Sequence, residues 1–283
     1  MLQFFKKKIY FIKSDGRFGN QLFQILHIIN ICDENSIVFA FDFQDMQDVI
    51  SSKYNYMHFL NFNRFFNRLL YKLIYFLQKY HIFSLIEQNT IENSDCKIHA
   101  STKNFTIGLI NNFIVVKGFF QSKKFLNNID KFTFKISSRD QLILTNQVFV
   151  HFRKSDYRNI NISNKSIVLN YSYYVDAIGH LKALFPNCKF LIFSDEQLSS
   201  SEITLFTDYE YEVSRLSNPI QIYEKMLTCH GAIISNSSLS WMAGFHLKLL
   251  DSAIPIVAPL NHIGYNINIE IPDGINNDDF IYI

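Results

Sequence analysis

The chain has 283 residues, of which 48% are hydrophobic and 18% charged, and its formal net charge is +2. This hydrophobicity is too high for a disordered chain, and the length favours about two domains. The small net charge disfavours a dedicated nucleic-acid binder, whose basic surface would give a much stronger positive balance.

The elements predicted in the first half alternate between strands and helices. Short apolar runs predict strands at 8–12, 36–41 and 113–120, and helical periodicity predicts helices at 21–31, at 59–86 and within 121–129. The sequence DGRFGN at 15–20 predicts a turn between the first strand and the first helix.

The second half alternates more regularly. Its predicted strands are 147–152, 189–194, 209–213, 231–235 and 253–259, and its predicted helices are 172–185, 218–229 and 239–250. Continuously apolar strands that alternate with helices indicate parallel sheets covered on both faces. We therefore predict an α/β chain of two doubly wound, Rossmann-like domains, 1–140 and 141–283.

Cysteine and histidine spacing gives no metal signature. The chain has no CxxC or HExxH motif, and its cysteines are widely scattered at Cys32, Cys96, Cys188 and Cys229. This pattern predicts reduced thiols in the cytoplasm and no bound metal. Lysines interrupt the N-terminal apolar run, and no stretch of about 18 apolar residues occurs, so we expect no signal peptide or transmembrane helix.

Polar residues follow three of the second-half strands. HFRKSDY places His151, Arg153 and Asp156 after the strand at 147–152. Ligands bind at the carboxyl ends of parallel strands, and an Arg can hold a phosphate through two parallel hydrogen bonds. Asp156 would hold the Arg153 side chain in place. The alternative is an ordinary surface ion pair at a strand end.

The other two strand ends carry FSDE, with Asp195, and SNSSLSW. Asn236, Ser237 and Ser238 precede a predicted helix, whose first backbone N–H groups and dipole form an anion site. The alternative is simple helix capping. Asp195 offers a carboxylate to the hydroxyls of a ribose or to the N–H donors of a nucleobase. Together the three strand ends predict a pocket for a nucleoside diphosphate without a metal.

The first-half motif DGRFGNQLFQ joins a strand to a helix. Gly16 and Gly19 permit a close approach or a positive φ, and Asn20 and Gln21 place amides at the helix start, facing a ligand. The alternative is a tight turn with an Asn cap. The motif is GxxG rather than GxGxxG, which disfavours an NAD-dependent dehydrogenase.

Five stretches resemble glycosyltransferase family 11, the alpha-1,2-fucosyltransferases. They are GRFGNQLFQ (16–24), VKGFFQSKKF (116–125), VFVHFRKSDY (148–157), FLIFSDE (190–196) and MLTCHGAIISNSSLSWMAGF (226–245). The resemblance implies a GT-B architecture with the active site in the cleft between two Rossmann-like domains. It implies transfer of fucose from GDP-fucose to the 2-hydroxyl of a galactoside, with inversion and without a metal or cofactor. The implied pathway is surface polysaccharide or lipopolysaccharide synthesis.

The resemblance also implies residue roles. Arg153 would neutralise the diphosphate, and His151 and Asp195 would lie at the nucleoside. Ser237 and Ser238, at the helix start, would lie near the phosphates. Asn20 would face the reacting centre. Three alternatives stay open for the general base. They are Asp156, although it is expected to orient Arg153; Asp15, beside the glycine turn; and a reaction that needs little base assistance because the leaving group departs first.

The chain departs from the family pattern at several positions. Lys154 and Ser155 replace an Arg-Gly pair, His230 lies one residue before Gly231, where a His is frequent, and Met242 replaces a second Trp. These departures leave acceptor and linkage open. The alternative functions are transfer of another GDP-deoxysugar on the same scaffold and non-catalytic binding of a carbohydrate or nucleotide.

The predicted helix at 59–86 is basic and amphipathic. Its cations, Arg64, Arg68 and Lys72, lie opposite an apolar stripe that includes Phe62, Phe66, Leu69 and Leu73. Such a helix can lie on the inner face of an anionic membrane, which would suit a lipid-linked acceptor. The alternative is an ordinary helix that packs on the core of its own domain.

Overall fold

The computed structural model describes residues 7–43, 46–60, 64–93, 96–135 and 145–283. Its chain divides into two compact units. The first comprises Met1–Ile91 and His99–Lys135, and the second comprises Glu92–Ile98 and Ile136–Ile283. The predicted boundary between residues 140 and 141 lies outside the described residues.

The first sheet has six strands, in the order β3-β2-β1-β6-β4-β5. The neighbouring pairs β3–β2, β2–β1, β1–β6 and β6–β4 are parallel. The elements, in chain order, are β1 (Ile9–Lys13), α1 (Phe18–Ile31), β2 (Ile37–Phe41), α2 (Met46–Val49), β3 (Met57–Leu60), α3 (Arg64–Lys79), β4 (Phe83–Asn93), β5 (Cys96–Thr106) and β6 (Ile110–Lys117).

Alternate residues of these strands build a core on one face of the sheet. Phe11 stacks on Phe83 with ring centroids 5.8 Å apart, and buried Ile74 of α3 packs against the same cluster. Successive side chains of a strand point to opposite faces, so Tyr10 and Ile12 of β1 are buried on the other face. The first sheet is therefore buried on both sides.

The structure corrects two predicted helices of the first half. The helix predicted over 59–86 is shorter, because Met57–Leu60 is strand β3 and the chain after Lys79 turns into β4. The helix predicted within 121–129 is only one 3₁₀ turn, Lys123–Phe125, capped by the Ser122 side chain.

The second sheet is parallel throughout, in the order β11-β10-β7-β12-β13-β14. A short hairpin, β8 with β9, lies outside it. The elements, in chain order, are β7 (Thr145–Phe152), β8 (Asn161–Ile162), β9 (Lys165–Ser166), α4 (Tyr171–Leu184), β10 (Lys189–Ser194), α5 (Ser200–Thr204), β11 (Tyr211–Val213), α6 (Pro219–Met226), β12 (Cys229–Ile233), α7 (Ser238–Leu250), β13 (Ile256–Ala258) and β14 (Ile281–Tyr282).

Helices cover both faces of the second sheet, as the sequence predicted. Ala177 and Leu181 of α4 pack in one cluster with Val150 of β7 and Ile192 of β10. On the other face, α7 approaches the sheet closely at Gly244, where a Cβ would lie 2.9 Å from Ile256 Cγ2. The described part of the chain contains no helix long and apolar enough to cross a membrane.

Candidate functional site

Three polar segments lie at one edge of the second sheet, as the sequence predicted. Strand β7 lies between β10 and β12, and all three run parallel. Phe152 is opposite Ser194, the last residue of β10. Arg153 and Asp195 therefore leave neighbouring strands at the same edge. Asn236 follows β12 at that edge as well.

Two carboxylates fix the Arg153 side chain. Its Nη2 lies 2.7 Å from Asp156 Oδ1, and its Nη1 lies 3.1 Å from Asp195 Oδ2. The guanidinium also lies over the ring of Tyr157, 5.3 Å from the ring centroid. These ion pairs require only two of the five N–H donors of the guanidinium. The predicted pairing of Asp156 with Arg153 is thus present, and Arg153 is held in one orientation with donors to spare.

Asp195 organises the loop after β7. Its carboxylate accepts hydrogen bonds from the Lys154 backbone N–H at 2.9 Å and from the Ser155 hydroxyl at 2.7 Å. Burial raises the pKa of Asp195, but these hydrogen bonds and the charge of Arg153 outweigh it and keep the pKa below its ordinary value. Asp195 is therefore a carboxylate that locks the loop, and its contact with a nucleoside stays a prediction.

His151 lies inside the fold beneath this loop. Its Nδ1 is 2.9 Å from the Ser235 hydroxyl, which in turn lies 3.3 Å from the Ser240 hydroxyl of α7. Burial, followed by the positive charge of Arg153, lowers the pKa of His151 to about 4. His151 is thus neutral near pH 7 and links the ends of β7 and β12. Its predicted contact with the nucleotide is untested.

Lys154 forms a buried ion pair that the sequence did not predict. Its Nζ lies 2.7 Å from Glu202 Oε2, and the two side chains are 7% and 14% exposed. Glu202 belongs to α5, 48 residues further on, where it also forms a capping box with Ser199. The capping-box spacing was visible in the sequence, but its second role as partner of Lys154 depends on the tertiary fold.

The start of α7 brings hydrogen-bonding groups to the same edge of the second sheet as Arg153. Ser237 is the N-cap residue, but its side chain makes no capping hydrogen bond. The first backbone N–H groups of a helix have no partner within it, and the helix dipole places positive charge there. Asn236 donates to the Ile167 carbonyl at 2.6 Å, and its buried Oδ1 has no partner among the described residues. Simple capping by Ser237 is therefore wrong as an explanation of this motif.

A pair of side-chain amides links the first-unit motif to the VKGFFQSKKF stretch. Asn20 lies in the first turn of α1, and its Oδ1 accepts a hydrogen bond from Gln121 Nε2 at 2.7 Å. The Asn-cap alternative is wrong, because α1 begins at Phe18 and its N-cap is Arg17. Gln121 belongs to the stretch that resembles the family, but no sequence pattern had assigned it a role.

Glutamine and glycine residues hold the loops around Asn20. Gln24 accepts from the Asp15 backbone N–H at 3.0 Å and donates to the Gly118 carbonyl at 2.9 Å. Gly16 has φ +74°, and a Cβ there would lie 2.2 Å from Asn20 Nδ2. Glycine at position 16 thus permits the turn to fold closely over Asn20.

The remaining predicted residues lie in α1 and β12, and the predicted acceptor contacts of Gly19 and Gln21 stay predictions. Gly19 is buried and Gln21 is half-buried in α1, and the Gln21 amide donates to the Gly16 carbonyl at 3.3 Å. His230 is exposed while Gly231 is buried, so His230 does not replace a histidine at position 231. Among the residues that the structure describes, no group of three or more His, Cys, Asp or Glu side chains is arranged to hold a metal ion.

Comparisons with known proteins agree with the motifs. A family model described as Glycosyl transferase family 11 matches residues 5–258. An alpha-1,2-colitosyltransferase of Escherichia coli is 32% identical over 127 residues, which are 41% of this chain and 41% of that protein. The chain thus matches about two fifths of the length of this curated relative.

Solved structures share the fold at low identity. The crystal structure of POFUT1 in complex with GDP-fucose is 12% identical, with a TM-score of 0.51 over 89% of this chain and 97% of that one. A glycosyl transferase family 9 structure from Veillonella parvula is 11% identical, with a TM-score of 0.47 over 98% and 86% of the two chains. The predicted fold class, an α/β chain of GT-B type with two Rossmann-like sheets, is confirmed.

Proposed function

The chain belongs to glycosyltransferase family 11, and from this membership we propose that it transfers L-fucose from GDP-fucose to the 2-hydroxyl of a galactoside. The observation that carries the proposal is the clamped Arg153 beside the start of α7, at the carboxyl edge of a parallel sheet. The structural likeness to a protein solved with GDP-fucose supports a donor of this class.

The donor diphosphate is proposed to bind between the Arg153 guanidinium and the first turn of α7. The guanidinium is planar and matches phosphate oxygens through paired N–H donors. Ser237 and Ser238 bring the helix start, with its backbone N–H groups, to the same edge. The buried Oδ1 of Asn236 supplies an acceptor there for a donor group of the nucleotide.

In the proposed reaction, the acceptor oxygen attacks C1 of fucose on the face opposite the diphosphate. The bond between C1 and the phosphate oxygen breaks, GDP leaves with the electron pair, the acceptor hydroxyl releases its proton to solvent, and the configuration at C1 inverts. Negative charge grows on the leaving oxygen while the sugar becomes oxocarbenium-like. Arg153 is already oriented by Asp156 and Asp195, so it stabilises this charge without reorganising. We propose that this arrangement supplies the positive charge that a divalent cation would otherwise provide.

The acceptor is proposed to contact the first unit at Gly19, Asn20 and Gln21. The hydrogen bond from Gln121 fixes Asn20 Oδ1 and leaves the Nδ2 donors of the amide oriented by it. An oriented amide of this kind is suited to a sugar hydroxyl. A lipid-linked acceptor in surface-polysaccharide synthesis is the class that we propose.

A second donor has a specific observation in its favour. The 32% identical relative is an alpha-1,2-colitosyltransferase. We propose that a colitosyl donor, as another GDP-deoxysugar, would use the same base and phosphate contacts in this chain. Only the sugar pocket would distinguish the two donors.

The experiment that tests the proposal compares GDP-fucose and GDP-colitose with a panel of galactose-terminated acceptors. GDP release is measured with and without acceptor, and the product linkage is determined. We expect acceptor-dependent GDP release from GDP-fucose and a product substituted at the galactose 2-hydroxyl. A preference for GDP-colitose would select the second donor. Binding of GDP without modification of any acceptor would instead indicate a binding protein.

A further inference from the structure

Helix α3 exposes a continuous apolar ridge, which consists of Phe65, Phe66, Leu69, Leu73, Phe76 and Tyr80. Leu69, Leu73 and Phe76 are 58%, 55% and 52% exposed. At about 100° per residue these positions share one stripe of the helix. Large apolar side chains are usually exposed singly rather than in a row, so the ridge indicates an interaction surface.

The ridge is not the face that holds α3 on its own unit. The core-facing residues are Leu70, Tyr71, Ile74 and Leu77, which pack on the cluster around Phe11. Helix α3 thus does pack on the core of its own domain, but not through the stripe with Phe66, Leu69 and Leu73. Phe62, which the sequence placed in the same stripe, lies outside the described residues.

The exposed apolar surface continues onto the loop between β5 and β6. The Leu109 backbone N–H donates to the His81 carbonyl at 2.8 Å, which places this loop beside the end of the ridge. Leu109 is 86% exposed and Ile107 is 68% exposed. The surface is therefore formed by two chain segments rather than by one helix alone.

A basic flank runs along one side of the ridge. Arg68, Lys72 and Lys79 are exposed on α3 between the ridge and the core-facing residues. Residues 49–86 contain no Asp or Glu at all. The ridge thus combines exposed apolar side chains with basic side chains on the same helix.

We propose that this surface docks the protein on an anionic lipid bilayer, with the ridge and Leu109 inserted at the interface and the basic flank at the headgroups. A helix with an aromatic and leucine face and Lys or Arg beside it binds such membranes in this way. A second copy of the chain fits less well, because apposed ridges would bring two basic flanks together without a carboxylate from 49–86. The proposal is independent of the transfer reaction.

The test measures partitioning of the full chain onto sedimented vesicles. One set contains phosphatidylcholine with about 30% phosphatidylglycerol, and the other contains phosphatidylcholine alone; anionic lipid adds attraction for each basic residue. We expect binding to the anionic vesicles that about 0.5 M NaCl weakens strongly, because salt screens exposed charges.

Two variants probe the ridge and its flank separately. We expect Leu73→Ser and Lys72→Glu each to weaken binding to anionic vesicles by roughly tenfold, through lost apolar insertion and lost charge attraction. The matched controls lie on the second unit, at Leu184→Ser on α4, where Leu184 is 51% exposed, and at Lys165→Glu on β9. We expect both controls to bind as the parent does. All four positions are exposed, and circular dichroism melting checks that each variant is folded.

Two results would overturn the proposal. The first is parent binding to anionic vesicles that is absent or no stronger than binding to neutral vesicles. The second is a vesicle-free dimer in sedimentation equilibrium that Leu73→Ser dissociates, since a second copy would then cover the ridge. Neither result depends on sugar transfer, so the proposed function would stand or fall separately.

Discussion

At the scale of single residues, Arg153 explains why charged residues follow an apolar strand. Asp156 and Asp195 hold its guanidinium at 2.7 Å and 3.1 Å, so its orientation is set before any ligand binds. Side chains held in this way stabilise charge that develops in a transition state more effectively than mobile ones do.

We therefore expect Arg153→Ala to lower kcat by about 10²–10³. Arg153→Lys is expected to recover only part of the loss, because an ammonium lacks the two parallel donors of a guanidinium. The control is Arg158→Ala, since Arg158 is 60% exposed and pairs with Glu196. Steady-state GDP release measures all three. A parent-like kcat in Arg153→Ala would contradict the proposed role.

The buried pair of Lys154 and Glu202 predicts an effect on stability. Lys154→Met leaves the 14% exposed Glu202 carboxylate without its cation, which is expected to lower the free energy of unfolding by about 3 kcal/mol. The control is Lys189→Met, because its partner Glu210 is 74% exposed and water can replace the lysine. Urea unfolding measures both variants. Equal losses would show that burial of the pair is not what matters.

The candidate residues were predictable from the sequence to different degrees. Arg153, Asp195 and Ser237 follow strands whose apolar runs were unmistakable, so their shared edge could be inferred. Glu202 and Gln121 could not be assigned, because their partners are 48 and 101 residues away and no local pattern reports such pairing.

At the scale of elements, α7 packs closely on the second sheet because residue 244 has no side chain. We expect Gly244→Ala to destabilise the fold by about 1–3 kcal/mol, because its methyl group would overlap Ile256 Cγ2 at 2.9 Å. At Gly179 of α4, an added methyl group would meet nothing within 4 Å, so Gly179→Ala is expected to stabilise by about 0.5–1 kcal/mol.

The opposite signs of the two alanine variants make the prediction specific. Both replace a helical glycine in the same unit, so helix propensity alone would stabilise both. Thermal unfolding followed by circular dichroism compares them with the parent. Stabilisation by Gly244→Ala would mean that α7 can move away from the sheet at little cost.

The elements that the sequence mispredicted have a common physical cause. Residues 59–86 carry apolar side chains throughout and contain no Gly or Pro to mark a boundary, so the end of strand β3, helix α3 and the start of β4 merge into one apparent helix. A short apolar run fits either period, and only its tertiary partners decide between them. The helices of the second half were predicted better, because Pro219 in the first turn of α6 and Ser237 at the N-cap position of α7 mark where these helices start.

At the scale of the whole molecule, buried neutral histidines predict how stability depends on pH. Burial lowers the pKa of His151 and of His262 to about 4 from the ordinary 6.5. Burial also lowers the pKa of His27 well below its ordinary value. As pH falls below 6.5, these histidines become protonated in the unfolded chain before they do in the folded chain.

The free energy of unfolding is therefore expected to fall as pH drops from about 6.5 towards about 4, because stability decreases where the unfolded state binds more protons. Urea unfolding at pH 7 and pH 5 measures the slope. We expect His262→Asn, which removes one titrating ring, to reduce it. Stability that is constant across this range would contradict the assignment of these rings as neutral and buried.

The strand order of the first unit also implies a delay during synthesis, because elements that pair in the fold are far apart in the chain. Strand β1 pairs with β6, and the Asn20 amide bonds to Gln121, 101 positions further along the chain. A ribosome adds about 5–20 residues per second, so Asn20 leaves the peptidyl-transferase centre roughly 5–20 s before its partner is made. During that interval the sheet that the apolar side chains of α1 pack against is incomplete, because β6 has not been synthesised. We expect chaperones that bind exposed apolar segments to bind the α1 segment at this stage.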